Sequence, residues 1–412
     1  FYFSGFYYIL IVFLYNNINN YDFMVKTALL YNPKIKEYSF GKGHPFTSER
    51  FEIFLKFIKK KLPNFKSFFG EITSPTTSSK DLELFHAKEY IEIMVKASKG
   101  TILPNIFEYT TVDNLDPETG YLPEGIEEAA RMVVGSSILA GELVLKGKPS
   151  TRAKLGAGLV PHRNKVSGTG FKKAISLGGG LHHAKSEKGE GFCIYNDVVI
   201  CAKKLLKEGV NKILILDTDA HAGNGTSEAF WEDNRVLFID IHQDPRTLYP
   251  GTGFLEEIGK GKGEGFTVNI PLPMGASDDA YQYVFEKIIF PLAEEFRPEI
   301  IIRNGGSDPY FNDGLTNLGL TIDGFKMIGE NVRKLADKVS QGKEVDLIAS
   351  GYNKEILPFA WAALIAGLLN LNIELKDPDK SLAPSKKSGL EETKEIVEEL
   401  KKILRNYWRC FQ

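Results

Sequence analysis

Residues 212–226 read KILILDTDAHAGNGT, an apolar run that ends abruptly in acidic and histidine residues. The run 212–216 is too short for a stable helix, and its pattern is typical of a parallel strand buried on both faces. Asp217, Asp219 and His221 follow at once. In an open α/β sheet the loops that leave the carboxyl ends of the strands converge on a crevice. The stretch therefore predicts a central parallel strand whose following loop carries the chemistry.

From Lys26 onward the chain repeats short apolar runs followed by longer amphipathic stretches, which is typical of α/β proteins. Strands are predicted at 27–31, 174–177, 212–216, 236–241, 266–270, 299–302 and 346–349. Apolar residues three and four apart predict helices at 48–61, 124–145, 197–207, 278–295, 322–339, 358–369 and 391–407, with Ser48 as the N-cap of the first. We therefore predict a three-layer α/β fold with a mostly parallel central sheet and helices on both faces.

The composition excludes several classes of protein. A chain of 412 residues with 43% apolar and 25% charged residues is neither disordered nor fibrous. The net charge of -2 offers no general attraction for nucleic acid or for an anionic membrane, so we expect no direct nucleic-acid binding. Cys193, Cys201 and Cys410 are too few for a disulfide framework, which favours the reducing cytoplasm. The oligomeric state stays open.

Three segments stand apart from the central domain, which we place at 24–375. The apolar run 1–15 would span only about 22 Å as a helix, against about 30 Å for a bilayer core. We expect residues 1–23 to be a non-core extension, either upstream sequence read through a misplaced start or a membrane-associated tail. Residues 376–412 are expected to form a linker and a terminal helix packed on the domain. The basic segment 146–170 is either a solvated insertion or a lid or docking loop for an acidic partner.

Polar side chains also follow the other predicted strands, at 178–183, 305–308 and 350–353. Each loop alone is compatible with a simple turn or a helix cap. With the loop after 212–216, they offer three possible metal ligands, Asp219, His221 and Asp308. This mixed carboxylate and imidazole set leaves room on a divalent ion for water and a substrate oxygen. The two histidines of 178–183 could supply an acid and a base, and a tyrosine could stabilise an oxyanion.

These motifs, taken in order, resemble the zinc-dependent deacetylases. That superfamily contains histone deacetylases, acetylpolyamine amidohydrolases and acetoin-utilisation proteins, which share the arginase–deacetylase fold. The matching motifs lie at 43–45 with Arg50, 178–183, 191–193, 217–226, 249–253, 306–308 with Asp313, and 351–353. The resemblance runs from about Val25 to about Asn370 and implies hydrolysis of an acetylated amine, with acetyl-lysine in protein or an acetylated polyamine as the substrate.

The resemblance also implies roles for particular residues. Asp219, His221 and Asp308 would hold the metal, Zn²⁺ above all, although such ligands also suit Fe²⁺ or Mn²⁺. The catalytic residues would be His183 as general base and acid, His182 as its charge-stabilising partner and Tyr352 as the oxyanion donor. Asp217 would orient His182, and Asn224 would orient His183. The implied substrate tunnel has Gly191, Phe192 and Tyr249 in its wall, and Arg50 lines the channel for departing acetate.

Among the features that depart from the family pattern, two concern the predicted site. Asp240 stands where the family usually has serine in a structural potassium site, which would comprise Asp217, Asp219, His221, Asp240 and Ile241. The acidic residue that grips the peptide backbone in many relatives falls in 111–121, where Asp113 and Asp116 both qualify. The alternatives that remain are an amidohydrolase of acetylpolyamines or other small metabolites, a non-catalytic regulatory module with the same fold, and, least favoured, arginase-type chemistry, which needs ligands for two metals.

Overall fold

The structure, a computed structural model, describes residues 27–146, 170–378 and 381–412. The predicted extension 1–23 lies outside the described residues, as does the basic segment apart from its two end residues, Lys146 and Gly170. In the described part of the chain, no helix has both the length and the apolar character needed to cross a membrane.

Across the described residues, a sheet of eight parallel strands forms in the order β2-β1-β3-β8-β7-β4-β5-β6. The strands are β1 Thr27–Leu30, β2 Phe69–Ile72, β3 Lys173–Leu177, β4 Ile213–Asp217, β5 Val236–Gln243, β6 Thr267–Leu272, β7 Ile300–Gly305 and β8 Glu344–Ile348. Every residue of β4, β5, β7 and β8 is buried, which explains the apolar runs in β4, β5 and β7. In β8 the buried Glu344 and Asp346 interrupt the run. The prediction of a parallel α/β sheet is confirmed.

Helices cover both faces of the sheet. They are α1 Glu49–Lys61, α2 Phe65–Phe68, α3 Ser79–Leu82, α4 Lys88–Ala97, α5 Ile106–Tyr109, α6 Ile126–Lys146, α7 Asp197–Lys207, α8 Asn224–Ala229, α9 Asp278–Val284, α10 Phe290–Phe296, α11 Ile322–Val339, α12 Leu357–Leu369 and α13 Leu390–Leu404. Successive residues of β4 show the two layers. Ile213 and Ile215 belong to the core cluster that includes α6 and α7, whereas Leu214 and Leu216 belong to the cluster that includes α11 and α12. This alternation is the period-two pleat of a strand.

Some local features differ from the predictions made from the sequence pattern. The edge strand β2 was not predicted, because its sequence Phe-Gly-Glu-Ile contains a glycine and only its first residue is buried. Ser48 precedes α1, but it has helical dihedral angles (φ -71°, ψ -16°) and its side chain makes no capping hydrogen bond, so the predicted N-cap is wrong. The predicted helix 278–295 contains a π-helical turn at Phe285–Ile289 just before Pro291. A π turn accommodates a proline that cannot donate a backbone hydrogen bond.

The C-terminal helix α13 packs on the domain beside β6. Its apolar side Val397, Leu400 and Leu404 is fully buried. Beyond it, the indole of Trp408 donates to the backbone oxygen of Gly265 at 2.7 Å. These contacts tie the chain end to the half of the sheet that contains β4 and β5.

Candidate active site

The predicted metal ligands converge at the carboxyl ends of β4 and β7, which are neighbours in the sheet. His221 Nδ1 lies 3.0 Å from Asp219 Oδ1 and 3.1 Å from Asp308 Oδ2. One donor atom from each residue lies within 4.8 Å of the other two, and all three residues are buried. This is the spacing that a shared ion requires.

The electrostatics of this cluster favour a cation. Burial and the neighbouring Asp219 raise the pKa of Asp308 to about 8. Burial by itself would lower the pKa of His221, but Asp219 and Asp308 outweigh it and raise that pKa to about 10. Both shifts mean that the group holds a proton more tightly, as expected where two buried carboxylates share one imidazole, and a divalent ion would supply the same positive charge. The residues therefore fit a bound metal ion.

Neighbouring groups hold the ligands in place. Asp308 accepts hydrogen bonds from Ser350 Oγ at 2.6 Å and from the backbone N–H of Ala220 at 3.1 Å. Behind the loop, the buried Arg303 pairs with Asp346, and its Nη1 donates to Thr218 Oγ1 at 3.2 Å. Such outer partners fix the orientation of metal ligands. They were missed in the sequence, although Ser350 and Arg303 stand at the ends of predicted strands.

His182 is paired with an acidic partner. Its Nδ1 lies 2.8 Å from Asp217 Oδ2, which also accepts from Asn304 Nδ2 at 2.9 Å. Burial opposes protonation of His182, but the charges of Asp217 and Asp219 prevail and raise its pKa to about 9. Asn304 lies directly across from Asp217 in the β4–β7 register, so its role depends on the sheet order.

His183 has the opposite character. Its Nδ1 lies 2.8 Å from Asn224 Oδ1, and its Nε2 lies 3.1 Å from Nε2 of His182. Burial, followed by the nearby His182 and His221, holds the pKa of His183 well below its ordinary value. The two adjacent imidazoles therefore favour different protonation states, a difference that separates acid and base roles in many enzymes.

A buried carboxylate holds the loop that carries both histidines. Asp197, the first residue of α7, accepts from the backbone N–H groups of Gly180 at 3.0 Å and Leu181 at 2.7 Å, and from Ser137 Oγ at 2.5 Å. In the sequence, Asp197 is predicted only as the first residue of a helix. Its role could have been suspected, because it is an acidic residue that follows the 191–193 motif and begins a buried helix.

A narrow cavity of about 20 Å³ lies beside the metal-ligand cluster and the histidines, with Phe192 and Tyr352 in its lining. The Tyr352 ring lies 6.3 Å from the His221 ring and 5.9 Å from the Phe192 ring, and its backbone N–H donates to Asp313 Oδ2 at 2.7 Å. Burial, with Asp308 and Asp219 nearby, raises the pKa of Tyr352 well above its ordinary value. The hydroxyl therefore keeps its proton near neutral pH.

The backbone at Gly191 approaches His183 closely. Gly191 has a φ of +60°, and a Cβ there would lie 2.4 Å from Cδ2 of His183, so this position requires glycine. Phe192 follows with a φ of +65°, and its ring is held by His44 at 4.5 Å. Tyr249 packs its ring 5.1 Å from His183 and is 44% exposed, so it lies between the buried imidazole and the protein surface.

The structure distinguishes the two candidate rim acids. Asp113 Oδ2 accepts from the backbone N–H of Gly191 at 2.8 Å, beside the cavity that Gly191 lines. Asp116 Oδ1 instead accepts from the backbone N–H groups of Glu118 at 2.8 Å and Thr119 at 3.0 Å, which makes it a turn residue. The two aspartates are three residues apart in the sequence, so only their contacts in the folded protein show that their roles differ.

Arg50 is buried beside the site. Its Nη1 donates to the Ala349 oxygen at 2.8 Å, and its guanidinium lies 3.8 Å from the Phe46 ring centre. Burial lowers its pKa to about 10. A cation therefore lies next to the inner wall that includes Ala349.

The residues of the predicted potassium site also lie together behind the histidines. Asp240 is directly across from Asp217 in the β4–β5 register. Its carboxylate already faces two protein groups, His242 Nδ1 at 2.9 Å and the backbone N–H of Gly223 at 2.8 Å. The His242 pKa, which burial alone would lower, is raised by Asp240. His242 thus balances the extra charge of Asp240, and potassium binding stays a prediction.

Comparison with known proteins gives a consistent family assignment. The histone deacetylase domain model matches residues 44–368. The "Probable deacetylase" of Archaeoglobus fulgidus is 33% identical over 394 residues, which cover 94% of this chain and 99% of the relative. The "Acetoin utilization protein AcuC" of Staphylococcus aureus strain COL is 34% identical over 352 residues, and that of Staphylococcus xylosus is 32% identical over 345 residues. These alignments cover 85% and 83% of this chain and 83% and 82% of the relatives. The chain therefore belongs to the histone deacetylase family, which acts on acetylated substrates and generally uses a metal ion.

Proposed function

We propose that this protein is a zinc-dependent deacetylase that hydrolyses the amide of acetylated lysine in proteins, at a site formed by the 24–375 domain. The observation that carries the proposal is the buried cluster Asp219–His221–Asp308 directly beside the His182–His183 pair. Metal ligands without an adjacent acid and base would suit a structural site, whereas this arrangement suits hydrolysis.

Asp219, His221 and Asp308 are the residues that would hold Zn²⁺. When bound, such an ion lowers the pKa of a water molecule to about 7 and polarises a carbonyl group. Fe²⁺ and Mn²⁺ fit the same carboxylate-rich ligands.

His183 acts as the general base and then as the general acid. Its Nδ1 is engaged by Asn224, so Nε2 takes the proton from the attacking water and later delivers it to the amine nitrogen as the C–N bond breaks. The lowered pKa of His183 supports this role, because the imidazole starts the reaction unprotonated. The products are acetate and the free amine.

His182 and Tyr352 stabilise the charge that develops on the substrate. His182, whose pKa of about 9 keeps it protonated near neutral pH, places a positive charge beside the reacting centre. Tyr352 keeps its proton and donates it in a hydrogen bond to the oxyanion. Arg50, which donates to the backbone oxygen of Ala349, places a positive charge near the route by which acetate would leave.

The tunnel supports a substrate with a long, thin stem. Phe192 and Tyr249 flank the approach to His183, as an apolar methylene chain would require. Asp113 at the rim supports a peptide over a free polyamine, because a carboxylate can accept from backbone N–H groups beside the acetylated lysine. The free cysteines also support a place in the reducing cytoplasm.

The test is acetate release by metal-stripped protein reconstituted with Zn²⁺, Fe²⁺ or Mn²⁺, on an acetyl-lysine peptide and on acetylated polyamines in parallel. We expect metal-dependent turnover of the peptide, and we expect Asp113→Asn to raise KM for the peptide but not for the polyamine. Asp116→Asn is the matched control, since asparagine can still accept in the same turn. Faster turnover of polyamines would assign the metabolite alternative, and tight hydroxamate binding without any turnover would favour a regulatory module.

A further inference from the structure

Glu190 lies one residue before the tunnel glycine and contacts the partner of His183. Its Oε1 accepts from Asn224 Nδ2 at 2.7 Å. The other end of the same amide, Asn224 Oδ1, lies 2.8 Å from His183 Nδ1. The three side chains form a continuous path from the active-site imidazole to a carboxylate.

The chemistry of these groups determines the direction of every hydrogen bond in that path. A carboxylate only accepts, so the NH₂ group of Asn224 must face Glu190 and its oxygen must face His183. An amide oxygen also only accepts, so His183 Nδ1 must carry its hydrogen. The lone pair of the neutral imidazole is then on Nε2, the nitrogen that faces His182. Without an acceptor at Glu190, the amide could turn over and present its NH₂ group to His183.

We infer that Glu190 is a positioning residue that, through Asn224, holds His183 in the tautomer with its free lone pair on Nε2. This inference rests on the proposed function, because it concerns the nitrogen that would take the proton from water. The backbone keeps Glu190 in place, since its carbonyl accepts from the N–H of Cys193 at 3.0 Å. The Glu190 side chain is 15% exposed, and Lys185 Nζ lies 3.6 Å from Oε1.

The charge of Glu190 also explains why an amide rather than a carboxylate suits position 224. A second carboxylate there would lie 2.7 Å from Glu190, where two negative charges repel strongly. The expected effects of Glu190→Gln therefore have opposite signs in two backgrounds. With Asn224 present, glutamine no longer forces one amide orientation, and kcat should fall. In the Asn224→Asp background, glutamine replaces a repulsive acceptor with a donor, and kcat should rise.

The experiment measures kcat and KM for deacetylation by Glu190→Ala, Glu190→Gln, Asn224→Asp and the double variant Asn224→Asp/Glu190→Gln. We expect Glu190→Ala to lower kcat by about 10–100-fold, the usual cost of losing such an outer partner, with little change in KM. The matched control is Glu228→Gln, which removes another carboxylate near Lys185, at 3.5 Å, and should leave kcat unchanged. The reversal of sign tests the direct contact between Glu190 and position 224, and the same change in kcat in both backgrounds would contradict it.

The ¹⁵N spectrum of histidine-labelled protein gives a readout that does not need turnover. We expect the ¹⁵N shifts of His183 in the wild type to show a protonated Nδ1, and those in Glu190→Ala to show a mixture of tautomers. Active wild type with equal kcat and ¹⁵N shifts in every Glu190 variant would overturn the inference and leave the proposed function standing. Wild type without turnover would overturn the proposed function, and the ¹⁵N spectra would still decide the inference.

Discussion

Tyr352→Phe removes one hydroxyl from the site and leaves its surroundings almost unchanged. The ring is held by packing near His221 and Phe192, and the backbone is held by Asp313, so phenylalanine should occupy the same position. Because burial and the nearby carboxylates keep the hydroxyl protonated, it is available as a donor at neutral pH. The variant therefore separates the hydrogen bond from the shape of the tunnel.

The expected loss follows from the role of the hydroxyl in the transition state. Removing one oxyanion donor typically lowers kcat by about 10²–10³-fold, equivalent to about 2.7–4 kcal/mol. KM should change little, since the bond is made chiefly to the oxyanion and not to the ground-state carbonyl. Metal content should equal that of the wild type, because Tyr352 is not among the proposed ligands.

The assay is steady-state deacetylation of an acetyl-lysine peptide, with metal content measured on the same samples. The matched control is Tyr407→Phe, which removes an exposed hydroxyl that donates to Glu264 at 2.7 Å in the C-terminal segment. We expect the control to keep wild-type kcat. Unchanged kcat in Tyr352→Phe with full metal content would refute the assignment of Tyr352, and a rise in KM alone would make it a binding residue.

Three further results are expected. Asp308→Asn should reduce bound metal to roughly a tenth or less of the wild-type content, because it removes a charged ligand, and full occupancy by elemental analysis would exclude Asp308 from the ligand set. Metal affinity should rise with pH, because protons on Asp308, with a pKa of about 8, and on His221, with a pKa of about 10, compete with the ion below those values and not above them. Calorimetry of Zn²⁺ binding in two buffers of different ionisation enthalpy should therefore show proton release at neutral pH, and its absence would contradict these pKa values. Arg303→Met should lower the free energy of unfolding by about 3–5 kcal/mol in urea, because Asp346 would remain buried without its partner. The exposed Arg235→Met should cost no more than about 1 kcal/mol, and equal losses would mean that the buried pair adds nothing special.

Local chemistry made much of the fold predictable. A strand such as β4, which is buried on both faces, must be apolar throughout, so it is visible in the sequence without any partner. β2 could not be predicted in this way, because an edge strand with exposed residues does not need to be apolar throughout. The N-cap at Ser48 failed because a capping residue needs extended dihedral angles, which depend on how the chain enters the helix.

The site divides in the same way. Asp219 and His221 are two residues apart on one loop, so their proximity follows from the chain itself. Asp308 joins them from 87 residues beyond His221 because β7 lies beside β4 in the sheet. Glu190 and Asn304 escaped notice for this reason, since neither belongs to a local motif and each acts only through a residue far along the chain.

By itself, the sequence determined the buried strands, the order of the polar loops and the residue types offered for metal binding and acid–base chemistry, because these depend on short-range patterns and side-chain chemistry. The tertiary structure alone decided which of Asp113 and Asp116 contacts the backbone of Gly191, that Arg50 is buried, and that Glu190 contacts Asn224. Those outcomes depend on distances between loops set by strand order and packing, and a hydrogen bond acts only over about 3 Å.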